Sequence, residues 1–423
     1  MGTSTGALLK RRTKRFRMLG SAVLLGAVMA ACGTSSATAV KSSGAASTTA
    51  NSQSTYVIHA ILSITGAGAT LGSREAKALD ALAAQVNAKG GIQGHPVKFE
   101  IEDNRTSPTV AVSLATPIIS SGAPLLLVGS IAAPDHAVTA LAGATGPFIY
   151  DLSPIDSPKP GSMIFSAGTP LIMDAEAYLT FLKSKGYDNI SIITTTDATG
   201  VQGYQALLDA LKLPQFSSMQ MVAHQSYDPT AVSATTQLSI IKAANPQALI
   251  IWTTGSPLGT VLNGMSEIGM ESIPTITDNG NASQAALTHF QSVMPKHTYF
   301  PTPPFYLPPA DISNAQVRAQ VASFDQAITS IGGHPGNPYA LAWDPAQLVL
   351  GALQKIGVNA TASQILNYMQ NLQNVPGAFG FYNTSTVHHH GLSISDIFMT
   401  EWNGSSFVQA SGPGGTALSN SKS

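Results

Sequence analysis

The chain has 423 residues, 21 Lys and Arg against 22 Asp and Glu, a single cysteine, and only 10% charged residues, well under the roughly 25% of ordinary soluble proteins. Six of the basic residues lie before residue 32, so the rest carries 15 against 22, a net charge of −7, with its cations scattered singly; that excludes a basic footprint for nucleic acid. A lone cysteine excludes an internal disulfide, so stability must come from a core large enough to supply it. A neutral polar surface changes its net charge little as carboxylates titrate, which suits an acidic external medium.

At the start of the chain, Lys10, Arg11, Arg12, Lys14, Arg15 and Arg17 precede an apolar stretch, Leu19 to Ala31. Thirteen residues fall short of the roughly 20 that cross a bilayer as a helix, so residues 1–31 are expected to be a cleaved export leader. Met29-Ala30-Ala31-Cys32 resembles a bacterial lipoprotein box, with Met29 where Leu is usual; the resemblance implies that Cys32 becomes the acylated first residue. Residues 32–54, rich in Ser, Thr, Ala and Gly, read as a flexible tether.

From Tyr56 short apolar runs alternate with helical stretches. The pattern predicts a strand over 56–62, a helix over 74–88 stopped by Gly90-Gly91, and a strand over 96–102. A helix over 109–120, strands over 124–128 and 148–151, and a helix over 135–144 follow. A second series has helices over 173–185, 202–211, 231–244 and 257–268, with strands over 189–194 and 248–253. This is the signature of an α/β protein with two doubly wound parallel sheets, each covered by helices on both faces. Ligands of such sheets bind beyond the carboxyl ends of the strands, so the loops after Leu62, Val128, Asp151, Thr194 and Thr253 should line a cleft.

Ile61-Leu62-Ser63-Ile64-Thr65-Gly66 with Gly72, then Val86-Asn87-Ala88-Lys89-Gly90-Gly91-Ile92 and Glu100-Ile101-Glu102-Asp103-Asn104, resemble the opening of the type I periplasmic substrate-binding proteins. More narrowly, they look like the branch that serves branched-chain amino acid ABC transporters. Leu127-Val128-Gly129-Ser130, Glu267-Ile268-Gly269-Met270, Tyr339-Ala340-Leu341-Ala342-Trp343-Asp344 and Glu401-Trp402-Asn403-Gly404 continue the likeness in order, from about Tyr56 to Phe407. The resemblance implies two lobes joined by crossovers near residues 169, 301 and 378. Lobe one would comprise 55–168 and 302–377, lobe two 169–301 and 378–412, and residues 413–423 a disordered tail. It implies a lipid-anchored extracytoplasmic monomer that closes around a small molecule and presents it to ABC permease subunits, without a cofactor. The alternatives are a ligand-sensing lipoprotein that signals to a membrane receptor, or a branched-chain amino acid binder if the loops align one residue differently.

Amino-acid binders of this branch hold the ligand carboxylate with a hydroxyl after the third strand and an Ala-Thr pair after the fourth, and the ammonium with an acid from lobe two. The corresponding positions here are Ala133, which offers no donor, and Ile155-Asp156-Ser157-Pro158, where a carboxylate replaces the pair. The ammonium position falls on Pro257, a nearby aromatic position on Thr254, and a frequent Tyr on Thr199. Both zwitterion clamps are thus missing, and a buried charge without a partner is costly. The resemblance therefore implies another solute, such as an amide, a polyol, a nucleobase-like compound or an apolar acid, or a cation paired with Asp156. Ligand contacts are expected from Thr65, Gly66, Leu71, Ala132, Ala133, Ile155, Asp156, Ser157, Thr199 and Thr254, with Phe305 and Tyr306 stacking. Asp197 before Gly200 reads as a helix cap.

His388-His389-His390 would suit a metal if it lay on a strand, but Thr384, Ser385 and Thr386 beside it indicate a surface turn. No metal is expected. Enzyme motifs are confined to Gly2-Thr3-Ser4-Thr5-Gly6 inside the leader, which leaves no candidate for catalysis.

Overall fold

A computed structural model describes residues 53–143, 146–154 and 158–418. In the first sheet, β1 (Tyr56–Leu62), α1 (Ala69–Ala88), β2 (Val97–Asp103), α2 (Pro108–Ser120), β3 (Leu125–Val128), α3 (Ala132–Ala142), β4 (Phe148–Asp151) and β5 (Ile164–Ser166) follow one another. The strands lie in the order β2-β1-β3-β4-β5, all parallel. Alternate residues face opposite sides, as strand geometry requires: Leu125 and Leu127 enter a core with α1, whereas Leu126 and Val128 enter one with α2 and α3.

The second sheet takes α4 (Leu171–Ser184), β6 (Asn189–Thr195), α5 (Ala198–Leu211), β7 (Gln220–Tyr227), α6 (Thr235–Ala243), β8 (Ala248–Trp252), α7 (Ser256–Glu267), β9 (Thr275–Thr277), α8 (Gln284–Phe290) and β10 (Thr298–Thr302). The chain then returns to the first lobe with α9 (Ala315–Ser330), α10 (Asn337–Ile356), α11 (Ala362–Met369) and the hairpin of β11 (Val375–Pro376) with β12 (Phe381–Tyr382). β13 (Phe398–Trp402) and β14 (Phe407–Pro413) complete the second sheet, ordered β14-β13-β10-β9-β8-β6-β7. β13 and β14 run antiparallel, an edge that the expectation of purely parallel sheets did not contain. β8 again splits its residues, with Ala248, Ile250 and Trp252 on one face and Leu249 and Ile251 on the other.

The chain passes between the sheets after Ser166, after Thr302 and finally between Leu392 and Phe398. The last passage lies beyond the expected residue 378, because Ala378, Phe379, Tyr382 and Leu392 all pack in the first lobe's core. Two of the three histidines of the triplet are not at the surface either. His389 and His390 are each 2% exposed. His389 stacks on Phe165 at 4.4 Å with its Nδ1 2.8 Å from Ile164 O, and His390 Nδ1 lies 3.3 Å from Gly168 O. Residues 413–418 do not form a loose tail: Gly414 N–H donates to Ile397 O at 2.7 Å and Gly412 N–H to Thr416 O at 2.8 Å.

Candidate functional site

In both sheets the strand order reverses beside the strand that opens the series, at β1/β3 and at β6/β8, and the loops leaving those strands face each other. Between them lies a cavity of about 50 Å³. The first lobe supplies Leu71, Glu75, Ser130, Ala132 and Ser153; the second supplies Thr199, Gln202, Trp252, Thr254, Asp278 and Asn279.

Glu75 reaches the cavity because α1 runs unusually close to the loops beneath it. A Cβ on Gly72 would stand 2.3 Å from Ser63 O and 2.9 Å from Ser130 Oγ, so only glycine permits this approach. Ser130 holds φ at 98°, a backbone conformation that costs a non-glycine residue about 1–3 kcal/mol and clusters at functional sites. In that conformation its Oγ accepts from Ser63 N–H at 3.1 Å and donates to Glu75 Oε2. Glu75 is 1% exposed. Burial, reinforced by the nearby Asp135 charge and opposed by the Ser130 bond, pushes its carboxyl up to about 8. Behind it, Ser153 Oγ donates to Asp135 Oδ2 at 2.6 Å. Burial raises the Asp135 carboxyl to about 8 as well, against that bond.

From the other lobe, Asp278 Oδ1 accepts from Gly280 N–H at 2.8 Å and from Thr254 Oγ1 at 3.1 Å. Burial outweighs these bonds and lifts its carboxyl to about 6. Trp252 is pressed against α5 at Gly203, where a Cβ would meet the indole at 2.3 Å. Asp197 caps α5, accepting from Gly200 N–H at 3.2 Å. Asn279 ties the wall to the hinge: its Nδ2 donates to Asp174 Oδ2 at 3.3 Å, and its carbonyl accepts from Asn337 Nδ2 at 2.6 Å. Across the mouth Gln202 Nε2 lies 3.0 Å from His136 Nε2, joining α5 to α3. A wider groove of about 670 Å³ continues outward past Leu71 and Gly280, lined also by Gly66, Arg74, Ser256 and His289.

Of the residues proposed from sequence, Leu71, Ala132, Thr199 and Thr254 line the inner cavity and Gly66 lines the outer groove. Thr65 instead donates to Asp103 Oδ2 at 2.7 Å, fixing the turn after β1, and Ala133 is not among the residues lining either space. Phe305 does not stack in the cleft; it is 8% exposed and belongs to the first lobe's core. Tyr306 is a hinge residue, its hydroxyl donating to Ala282 O and accepting from Asn337 N–H at 3.1 Å. Ile155, Asp156, Ser157 and Cys32 lie outside the described residues. Sequence reasoning missed Glu75, Ser130, Ser153, Gln202, Trp252 and Asp278. Glu75 did leave a signal: it stands four residues from both Leu71 and Leu79, a lone acid on an otherwise apolar helical stripe.

Two α/β lobes facing each other across a small cleft lined from both sides define a solute-binding protein. The periplasmic binding protein model matches residues 55–407, and the chain belongs to that family. The fold is similar to that of Rhodopseudomonas palustris Rp1789 (TM-score 0.74, 18% identity, 84% of this chain and 100% of that one). It is also similar to the branched-chain amino acid transporter substrate-binding protein LivJ of Streptococcus pneumoniae, solved with isoleucine (TM-score 0.68, 16% identity, 84% and 99%). A third likeness is to the R. palustris ABC transporter solute-binding protein RPA0668, solved with benzoate (TM-score 0.70, 16% identity, 87% and 98%). No curated protein matches the sequence. The family consists of extracytoplasmic substrate-binding proteins, not enzymes, which bind small molecules and typically work with ABC permeases. Among the described residues no helix is long and apolar enough to cross a membrane.

Proposed function

We propose that this protein is the lipid-anchored solute receptor of an ABC importer, and that its solute is not a standard branched-chain amino acid. The observation that carries this reading is the chemistry of the inner cavity. Its walls come from both lobes, so a solute touching both favours the closed form. Among the described residues its ionisable lining is Glu75 and Asp278, with no Lys, Arg or His, and the Ser130 hydroxyl proton is committed to Glu75. An α-carboxylate placed there would face acids without a charged donor.

The test is a thermal-shift screen of small metabolites on the protein, with leucine, isoleucine and valine included. A true solute at 100 times its dissociation constant adds about 2.7 kcal/mol of stability. The three amino acids are expected to give no shift, and a leucine shift would overturn the exclusion. The leader and Cys32 support the membrane anchor. Cys32→Ala is expected to move the protein from the membrane fraction into the soluble one; retention of the variant in the membrane would contradict an acyl anchor.

A further inference from the structure

We infer that the solute carries a protonated nitrogen, an ammonium or amidinium-type group, which enters the inner cavity between Glu75 and Asp278 while the rest of the molecule lies in the outer groove. The inference rests on the cleft being the solute site.

Closure brings one carboxyl from each lobe into about 50 Å³ of free space. Each is held by one oxygen only: Glu75 Oε2 by Ser130, and Asp278 Oδ1 by Gly280 and Thr254. Among the described residues the second oxygens, Glu75 Oε1 and Asp278 Oδ2, accept no hydrogen bond. Both side chains are more than nine-tenths buried, at 1% and 6% exposed, so these oxygens have little access to bulk water. While the cavity is empty, burial favours the neutral form of both carboxyls. A cation with N–H donors offsets that burial, stabilises the ionised carboxylates and donates a charge-assisted hydrogen bond to each lobe, and does so only when the lobes are together.

The remaining lining suits the same group. Thr199 and Gln202 add oxygen acceptors, and Trp252 supplies an aromatic wall at the end of β8, a surface that attracts cations. A carboxylate would meet two acids instead, and an uncharged polyol would donate to them without offsetting their charge. The inner space holds a head group rather than a whole solute, and the adjoining groove of about 670 Å³ shares Leu71 and Gly280 with it. That volume falls within the range usual for small-molecule sites, and Arg74 on its wall is placed to meet a polar or anionic far end.

The experiment uses the tethered, mature protein and probes matched in shape but not in charge: benzylamine, benzamidine and agmatine against benzyl alcohol and benzoate, read by thermal shift and titration calorimetry. At least one nitrogen cation is expected to bind, with benzyl alcohol and benzoate at least 10-fold weaker. Glu75→Gln and Asp278→Asn, both nearly isosteric, are each expected to weaken the cation at least 10-fold while the ligand-free variants still fold. If benzoate or benzyl alcohol binds as well as the amines, or if both variants bind the cation unchanged, the inference fails while the receptor reading stands. If neither these probes nor any metabolite in the wider screen shifts the protein, both fail.

Discussion

Unfolded by urea at pH 5 and at pH 8, the ligand-free protein is expected to be more stable at the lower pH, by several kcal/mol. The cause is a set of buried carboxyls whose neutral form the fold prefers. Glu75 and Asp135 are raised to about 8, Asp278 and Asp344 to about 6, and Asp174 well above its ordinary range, in each case chiefly by burial. A carboxyl raised in the folded state contributes stability that is complete below its unfolded value, near 4, and is gone once pH has climbed through the folded one. The losses therefore spread over about pH 4 to 8, and each group gives up about 1.4 kcal/mol per pH unit while it is neutral in the fold and ionised in the unfolded chain. The buried histidines oppose this trend. Burial pulls His390 down to about 4, so its contribution is present above its unfolded value, near 6.5, and is lost as pH falls toward 4. The raised carboxyls outnumber it, so stability should peak near pH 4 to 5. A protein equally stable at pH 8 and pH 5 would show that these acids are ionised without cost.

Asp344→Ala is expected to cost about 3–5 kcal/mol, measured by urea melting at pH 7. Asp344 lies in the middle of α10, 1% exposed, where an acid is out of place unless every bond is met. Its Oδ1 accepts from Ala378 N–H at 2.9 Å, and its Oδ2 from Phe379 N–H at 2.9 Å and Tyr382 Oη at 3.1 Å. These donors belong to the β11–β12 hairpin, whose turn comes so near that a Cβ on Gly377 would stand 2.4 Å from Asp344 Oδ2. Truncation strands two amides and a phenol in the core together, whereas Asp344→Asn retains one acceptor and should lose less. A loss under about 1 kcal/mol for the alanine variant would mean that the hairpin finds other partners.

Much of the first lobe was legible in the sequence. β1 and β4 fall where periodicity put them, because buried parallel strands read as unbroken apolar runs. α1 starts five residues earlier than its pattern indicated: Gly68 precedes it with no side-chain cap, so no Ser, Thr, Asp or Asn marks the start. β7 was hidden because an edge strand such as Gln220–Tyr227 is half exposed and polar. The buried histidines could not be read locally either, since their partners, Ile164 and Gly168, lie more than 220 residues away. The same limit applied at the site. The loops beyond the strands pointed to Leu71, Ala132, Thr199 and Thr254, but Glu75 and Asp278 line one cavity only because two lobes far apart in sequence face each other.

The three passages between the sheets leave neither lobe as a continuous length of chain. The first lobe's core joins Ile58 to Leu392, and the second sheet is incomplete until β14 ends at Pro413. A ribosome or export channel delivering the polypeptide from its amino end must therefore release nearly all of it before either half can seal. Until then α1 and β4 leave bare the apolar surfaces against which α10 and α11 later pack, a long interval in which adhesion to neighbouring chains competes with folding.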